Sequence, residues 1–544
     1  MFASYKKSDF TTSTVATISK LGKVSKMNNG LSCAALLLLS ACGGSSDMVA
    51  DKTINTPAAP PIIVGSSLLI SDAEPLPPAS APASADVTIP VLQPNEEGSA
   101  LTFSTTGSID RSNPFFKPFG NGRSCATCHQ ETQGWSLRPA LVQERFNVTN
   151  GNDPLFNLND GANSPVAVAT TLDQKRLAYS MLLSKGLIRV GLGVPTEAEF
   201  TLDKIDDPYR FATAKELSLF RRPMPTTNLK FLSTVMWDGR ETFTDAKSNV
   251  CITGSRPLRC FATIDTDLLH QSVSAVTGHA QAAQGLTSNE QRSIVDFEKT
   301  LFTTQMISKD AGNLNDLGAK GGPQELSKND YYFGINDVQD GDYKTSAPFN
   351  RNVMSLFASW RGLDRPAPPN PPIPVRVAVP APSAQDQARA SIARGEQLFN
   401  NRPFNIVRVN GFNDELRVPL QRGTCTSCHS VPNVGSHSIP RLFNTGVSDV
   451  ALRTADLPLY TLKNKTTGEV VQTTDPGAAM TTGKWSDIGR FKVPSLRGIE
   501  ARSPYFHNGS IVDLTDVVKF YDKRFAIGLT PQEIADMTAF LKAL

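Results

Sequence analysis

The chain has no marked charge of either sign, no apolar run long enough to cross a membrane and no glycine fingerprint for a nucleotide. Its 54 Lys and Arg against 51 Asp and Glu give a formal net charge of +3 over 544 residues. Five lysines (Lys6, Lys7, Lys20, Lys23, Lys26) and one acid (Asp9) sit in the first 41 residues. The remainder is close to charge-balanced, which excludes a broad basic face for nucleic acid. Charged residues are only 19% and hydrophobic residues 40%, too weakly charged and too apolar for a disordered protein. The most apolar stretch, LSCAALLLLSAC at 31–42, is shorter than the ~20 residues a spanning helix needs. Gly191-Leu192-Gly193 lacks a third glycine in register, so it carries no dinucleotide signal. At ~100–200 residues per domain the length suggests two or three domains, and the 38 glycines and 38 prolines point to long loops.

A short apolar run behind a lysine-bearing segment is the pattern of a secretory signal. It ends Leu39-Ser40-Ala41-Cys42, which resembles a bacterial lipobox. The resemblance implies cleavage after residue 41 and lipidation of Cys42; an ordinary signal with an incidental cysteine is the alternative. Gly43 rather than Asp in the next position implies an outer-membrane address facing the periplasm. Several acyl chains would hold the protein durably, since one chain binds only marginally. Residues 42–100 include PLPPASAPASA and read as a disordered tether, too poor in apolar surface to fold.

The eight cysteines sort themselves. Cys33 leaves with the signal and Cys42 carries lipid. Cys125 and Cys128 stand in Cys125-Ala-Thr-Cys128-His129, and Cys425 and Cys428 in Cys425-Thr-Ser-Cys428-His429. Cys251 and Cys260 remain, and in an oxidising compartment they most simply form a disulfide. Cys-x-x-Cys-His is the attachment signature of c-type haem: two thiols form thioethers and the adjacent His supplies a nitrogen to iron. Two copies behind a secretory signal make two covalent haems the reading. Zinc would need two further ligands beside each pair; His437 could serve the second pair, and the first has no nearby equivalent.

An internal similarity follows each motif. LTSNEQRSIVDFEKTL at 286–301 and LTPQEIADMTAFLKAL at 529–544 align at an offset of 243 residues, pairing Thr287 with Thr530, Glu290 with Glu533, Phe297 with Phe540 and Leu301 with Leu544. Each opens with a Thr-x-x-Glu capping box, and Pro531 takes the first helical position. The second carries apolar residues at helical spacing. Each half therefore ends in an amphipathic helix able to pack on its own haem. The expected fold is mainly α, with little sheet: a signal at 1–41, a tether at 42–100, a first haem domain with a loop at 101–365, a Pro-rich linker at 366–386 and a second haem domain at 387–544.

With the haem motifs, Met236-Trp237-Asp238-Gly239-Arg240 and the stretch FKVPSLRGIEARSPYFHNGS at 491–510 resemble the bacterial diheme cytochrome c peroxidases and their MauG-type relatives. The resemblance spans roughly 101–544. It implies that the haem on His129 meets peroxide, that the haem on His429 is six-coordinate and relays electrons, and that Trp237 bridges them. Asp238 and Arg240 would hold the Trp237 turn by hydrogen bonds. In the peroxidases a Met fourteen residues after the Pro-Tyr-Phe-His histidine is the sixth ligand of the second haem. Counting from His507, that position is Tyr521, and MauG-type enzymes also carry Tyr there. A phenolate favours oxidised iron where His/Met favours reduced iron. Rival ligands are His507, His437 and Met480, and a core aromatic is the plain alternative for Tyr521.

On the peroxide side the family carries a Gln and then a Glu. Gln271 fits the first, but the later positions read Gly278-His279-Ala280-Gln281, without Glu. His279 is the candidate acid/base, with Gln281 as neighbour, because a near-neutral imidazole can move a proton between peroxide oxygens. It could instead ligate the resting iron or be structural, as His270 is read to be. The resemblance also implies a calcium between the domains, on the carbonyls of Arg502 and Pro504 and the side chain of Asn228. Arg490, Lys492 and Arg497 are candidates for pairing with haem propionates. Two functions lie within the resemblance: a peroxidase fed by a small cytochrome or copper protein, and a MauG-like oxidation of a partner protein's side chain. A pure electron carrier and a dioxygenase akin to diheme rubber oxygenases are the alternatives.

Overall fold

The computed structural model describes residues 87–88, 91–245, 250–253, 258–365 and 381–544. They lie in one unit, Pro78–Leu544. The candidate signal, Cys42, the tether up to residue 86 and the linker at 366–380 fall outside the described residues. Among the described residues no helix is long and apolar enough to cross a membrane.

The expectation of a mainly α protein is overturned. Fifteen strands stand beside eleven α-helices among the described residues, so the fold is mixed α and β. Most of the strands are short, and several pair with partners far away in the chain, so no hairpin turn marks them locally. Gly98–Ser104 lies antiparallel to Leu301–Ser308 across some two hundred residues, with Val91–Asn95 on its other edge and Gly312–Asn313 beyond the far one. Residues 91–100, assigned above to the tether, are thus part of a four-stranded sheet. A second sheet joins the two halves directly: Phe200–Asp206 pairs with Leu459–Asn464, which pairs with Val470–Thr473. The polar, Gly-rich residues 311–365, the loop of the first haem domain, carry a short strand and the helix Pro323–Ser327.

The repeated helices form as their capping boxes require. In Ser288–Thr300 the Thr287 hydroxyl accepts from the Glu290 N–H, and in Pro531–Lys542 Thr530 does the same for Glu533. Pro531–Lys542 crosses Ala384–Asn401 closely. A β-carbon on Gly395 would stand 2.0 Å from the Asp536 carbonyl oxygen, so only glycine lets the backbones meet. Among the described residues, the first half has no such long helix before its motif. A single 3-10 turn, Pro114–Phe116, packs Phe115 and Phe116 against Phe297, with Trp135 beside Phe115. Cys251 and Cys260 are joined in a disulfide.

Candidate functional site

Each Cys-x-x-Cys-His segment opens onto a cavity. The first is lined by Cys125, Cys128 and His129 and the second by Cys425, Cys428 and His429. None of these four cysteines is in a disulfide. Both histidines are fixed the same way. The Nδ1–H of His129 donates to the Trp135 carbonyl at 3.2 Å, and that of His429 to the Gly435 carbonyl at 2.5 Å. The acceptor is six residues on in each case, in left-handed backbone: φ 59° at Trp135 and φ 74° at Gly435. A tryptophan there is strained relative to glycine. It is held by the four-stranded sheet, because the Trp135 indole N–H donates to the Thr102 hydroxyl at 3.0 Å. Burial lowers both imidazoles to about 4, so they are neutral at pH 7 and carry their lone pair on Nε2. The Met224 carbonyl also approaches the His129 ring. Free paired thiols beside a neutral, Nδ1-anchored imidazole fit thioether attachment and axial ligation of haem at both cavities.

The cavities meet. Trp237, Lys492, Pro494, Ile499, Tyr505 and Phe506 line both. The indole N–H of Trp237 donates to the Arg222 carbonyl at 2.8 Å, and its own carbonyl accepts from the Lys492 N–H at 2.9 Å. Asp238 does not face a reactant: Arg221 binds it at 2.6 Å and Arg240 at 3.0 Å. Burial alone would raise its carboxyl, but these two guanidinium groups hold it below the usual range. Arg221 also grips Asp475 from the other half at 2.7 Å, so buried ion pairs tie the Trp237 turn across the molecule.

The first cavity is mostly apolar but carries more polar and charged side chains than the second. His279 and Gln271 line it. The Nδ1–H of His279 donates to Asp160 at 2.5 Å, and Arg123 pairs with the same carboxylate. Burial would raise Asp160, but His279 and Arg123 hold it low. Gln281 is absent from the cavity wall; its carbonyl oxygen accepts from the Asn121 amide at 3.1 Å. His270 pairs with Glu241.

The second cavity is nearly apolar. Tyr521 lines it from the helix Leu514–Phe525, and burial pushes its phenol up to about 12. His507 also lines it, fully buried, with neither ring nitrogen hydrogen-bonded. Its ring stacks on Phe491 at 4.1 Å and meets Trp237 edge-on at 6.4 Å. Met480 lies in a separate apolar cluster. His437 donates to the Cys428 carbonyl at 2.8 Å from behind the motif and lines neither cavity.

Arg490 and Arg497 line neither cavity. Arg490 is engaged by Asp414, Glu415 and Asp487, and Arg497 by the carbonyls of Leu544, Asn433 and Gly321. Lys492 does line both; burial lowers its amine to about 7. Two of the three candidate calcium ligands, Asn228 and the Arg502 carbonyl, already hold other partners. Asn228 accepts from the Thr303 N–H and donates to the Thr303 carbonyl, both at 2.9 Å, and the Arg502 carbonyl accepts from Arg222. These residues do not offer a vacant oxygen set to a divalent ion.

Three residues were not singled out from the sequence. Asp160 and Arg123 become partners of His279 only through folding. Glu298, buried in the first cavity and raised by burial to about 8, was legible: at the 243-residue offset it stands opposite Leu541, a lone acid on an apolar helix face.

No protein-family model matches the chain. Cytochrome-c peroxidase IdrP1 of Denitromonas iodatirespirans is 32% identical over 140 residues, 22% of this chain and 36% of that protein. The methylamine utilization protein MauG of Paracoccus denitrificans is 54% identical over 35 residues, 6% of this chain and 9% of that one. The matches therefore take in well under half the length of these curated relatives. A solved MauG-like protein associated with microbial copper homeostasis covers 79% of this chain and 93% of its own at 14% identity, but its TM-score of 0.26 carries no argument. The sequence relatives bear out the resemblance to the diheme cytochrome c peroxidases and MauG.

Proposed function

We propose that this chain is a peroxide-dependent diheme c-type oxidoreductase, with the reacting site at the first cavity and an electron relay through Trp237 to the second. One observation carries the reading: a single indole forms part of both cavity walls and is pinned by its N–H. When bound, the haems supply the redox equivalents for H2O2 + 2e− + 2H+ → 2 H2O. The chain's own residues bind, orient and move protons. Asp160 keeps the proton of His279 on Nδ1, leaving Nε2 to take a proton from one peroxide oxygen and return it to the other. Arg123 keeps Asp160 ionised and in place. Gln271 adds a neutral hydrogen-bonding group to the same wall.

Tyr521 is proposed as the sixth ligand at the second cavity. Its burial facing the Cys425–His429 segment supports that role; a phenol raised to about 12 would be ionised at neutral pH only where a strong local cation stabilises the phenolate. A phenolate there favours the oxidised state. That favours the MauG-like version, in which electrons are drawn from an oxidisable side chain of a partner protein, over supply by a small cytochrome or copper protein. Lipid anchoring at Cys42 to the outer membrane belongs to the same proposal; Cys42→Ala should release the protein from membranes on detergent partitioning.

Rapid mixing of the holoprotein with peroxide tests the relay. In Trp237→Phe the first site is expected to respond while the optical bands of the second lag behind or stay silent. Wild-type response at both sites in that variant would contradict the relay.

A further inference from the structure

We propose that the guanidinium of Arg222 is a built-in cation at the junction of the two halves, doing there the structural work for which the family resemblance implied calcium. Arg222 is 5% exposed, and no carboxylate is within hydrogen-bonding distance of its guanidinium. Four carbonyls surround it instead. Nη1 donates to Lys185 at 2.6 Å; Nη2 donates to Leu137 at 2.6 Å, Arg502 at 3.2 Å and Ser503 at 3.4 Å. Two of these carbonyls come from the first half and two from the second. The approach is tight: a β-carbon on Gly186, whose φ is 62°, would stand 2.5 Å from Nη1.

A calcium ion binds its oxygens at 2.3–2.6 Å. Placed on the Arg502 carbonyl, it would compete for that oxygen with a guanidinium nitrogen of like charge 3.2 Å away. The guanidinium of Arg502 deepens the conflict. It is buried as well, and it donates to Gly134, Arg497 and Thr227 rather than to an acid. A divalent ion would enter a region where the chain already places two buried guanidinium groups, both bonded to neutral oxygens of the protein. The oxygens of a backbone cluster can serve either a metal or a guanidinium, and here the donor is part of the chain.

The same residue sets the bridge. The Arg222 carbonyl accepts from the Trp237 indole, and its N–H donates to the His507 carbonyl at 2.7 Å. Arg222 thus positions Trp237 and His507 while its side chain clamps the halves, with no exchangeable ion in between. These hydrogen bonds carry the assignment whether or not the peroxide chemistry is right.

The test uses the full holoprotein, purified in calcium-containing buffer and then desalted. Elemental analysis should find calcium well below one per chain. Treatment with EGTA, and then added calcium chloride, should leave the thermal midpoint and the haem optical spectrum unchanged. One calcium retained per chain, or a midpoint that falls with EGTA and recovers with calcium but not magnesium, would overturn the proposal. Arg222→Lys should keep more of the thermal midpoint than Arg222→Met; equal midpoints for wild type and Arg222→Met would also overturn it. If the methionine variant does not fold, the wild-type metal content still decides.

Discussion

The two cavities are built on one plan and finished differently. In both, the motif histidine is anchored by a carbonyl six residues on, and the repeated C-terminal helix supplies part of the wall. Ile294 and Glu298 line the first cavity where Met537 and Leu541, at the same helical positions, line the second. The first wall adds Arg123, Asp160, Gln271 and His279. The second adds Tyr521 and His507, whose ring nitrogens make no hydrogen bond, among aromatic and aliphatic side chains. Proton-moving groups are thus concentrated on one side, and candidate iron ligands other than the motif histidine on the other. Under the proposed function, a shared scaffold would become a reacting site or a relay site according to which side chains reach into it.

The strongest way to break this comparison is His279→Ala. Loss of a general acid/base should slow the peroxide reaction about 10²–10⁴-fold, with the bands of the second site unmoved. Rapid-mixing kinetics would read it, and an unaltered rate would return His279 to a structural role. Asp160→Asn should be milder. Losing a charge-assisted hydrogen bond is worth about 1.5–3 kcal/mol, roughly 10–100-fold in rate, read by the same rapid-mixing kinetics.

Glu298→Leu makes the first wall more like the second. Because burial raises this carboxyl from 4.5 to about 8, the folded state holds a proton that the unfolded chain has lost. The resulting penalty is absent below about pH 4.5, grows as pH rises, and is complete above about 8. Thermal melts at pH 5 and pH 8 should show wild type losing stability across that window and the leucine variant losing less; parallel slopes would refute the argument. A further test is Thr102→Val, which takes the buried hydroxyl away from the Trp135 indole N–H, the Gln93 amide and the Thr303 hydroxyl. A cost of about 1–3 kcal/mol is expected, with perturbation of the first site only, seen by urea melts and optical spectra.

Legibility in the sequence followed how local each feature is. The attachment motifs, the capped helices and the Cys251–Cys260 pair are short-range patterns, and the structure contains them. Two of the sheets were missed in part because key strand pairs, Gly98–Ser104 with Leu301–Ser308 and Phe200–Asp206 with Leu459–Asn464, meet across long separations. Strand Gly98–Ser104 is completed by residues beyond 300 and reads locally as the end of a tether. Sheet and site are linked, since Thr102 holds Trp135 and Trp135 holds His129. The His279–Asp160–Arg123 group was only one-third visible, because an acid 119 residues upstream becomes a partner through folding alone. Arg222 had no motif at all; four backbone carbonyls leave no trace in side-chain identities. Glu298 was the exception, readable as an acid where the repeat has leucine.

The most direct test of the asymmetry is electron paramagnetic resonance of the resting holoprotein, with and without peroxide, in wild type and Tyr521→Phe. The account predicts two distinct ferric signals, with only the signal that is insensitive to Tyr521→Phe changing first on addition of peroxide. Two equivalent signals, or a peroxide response at the centre that Tyr521→Phe alters, would contradict it.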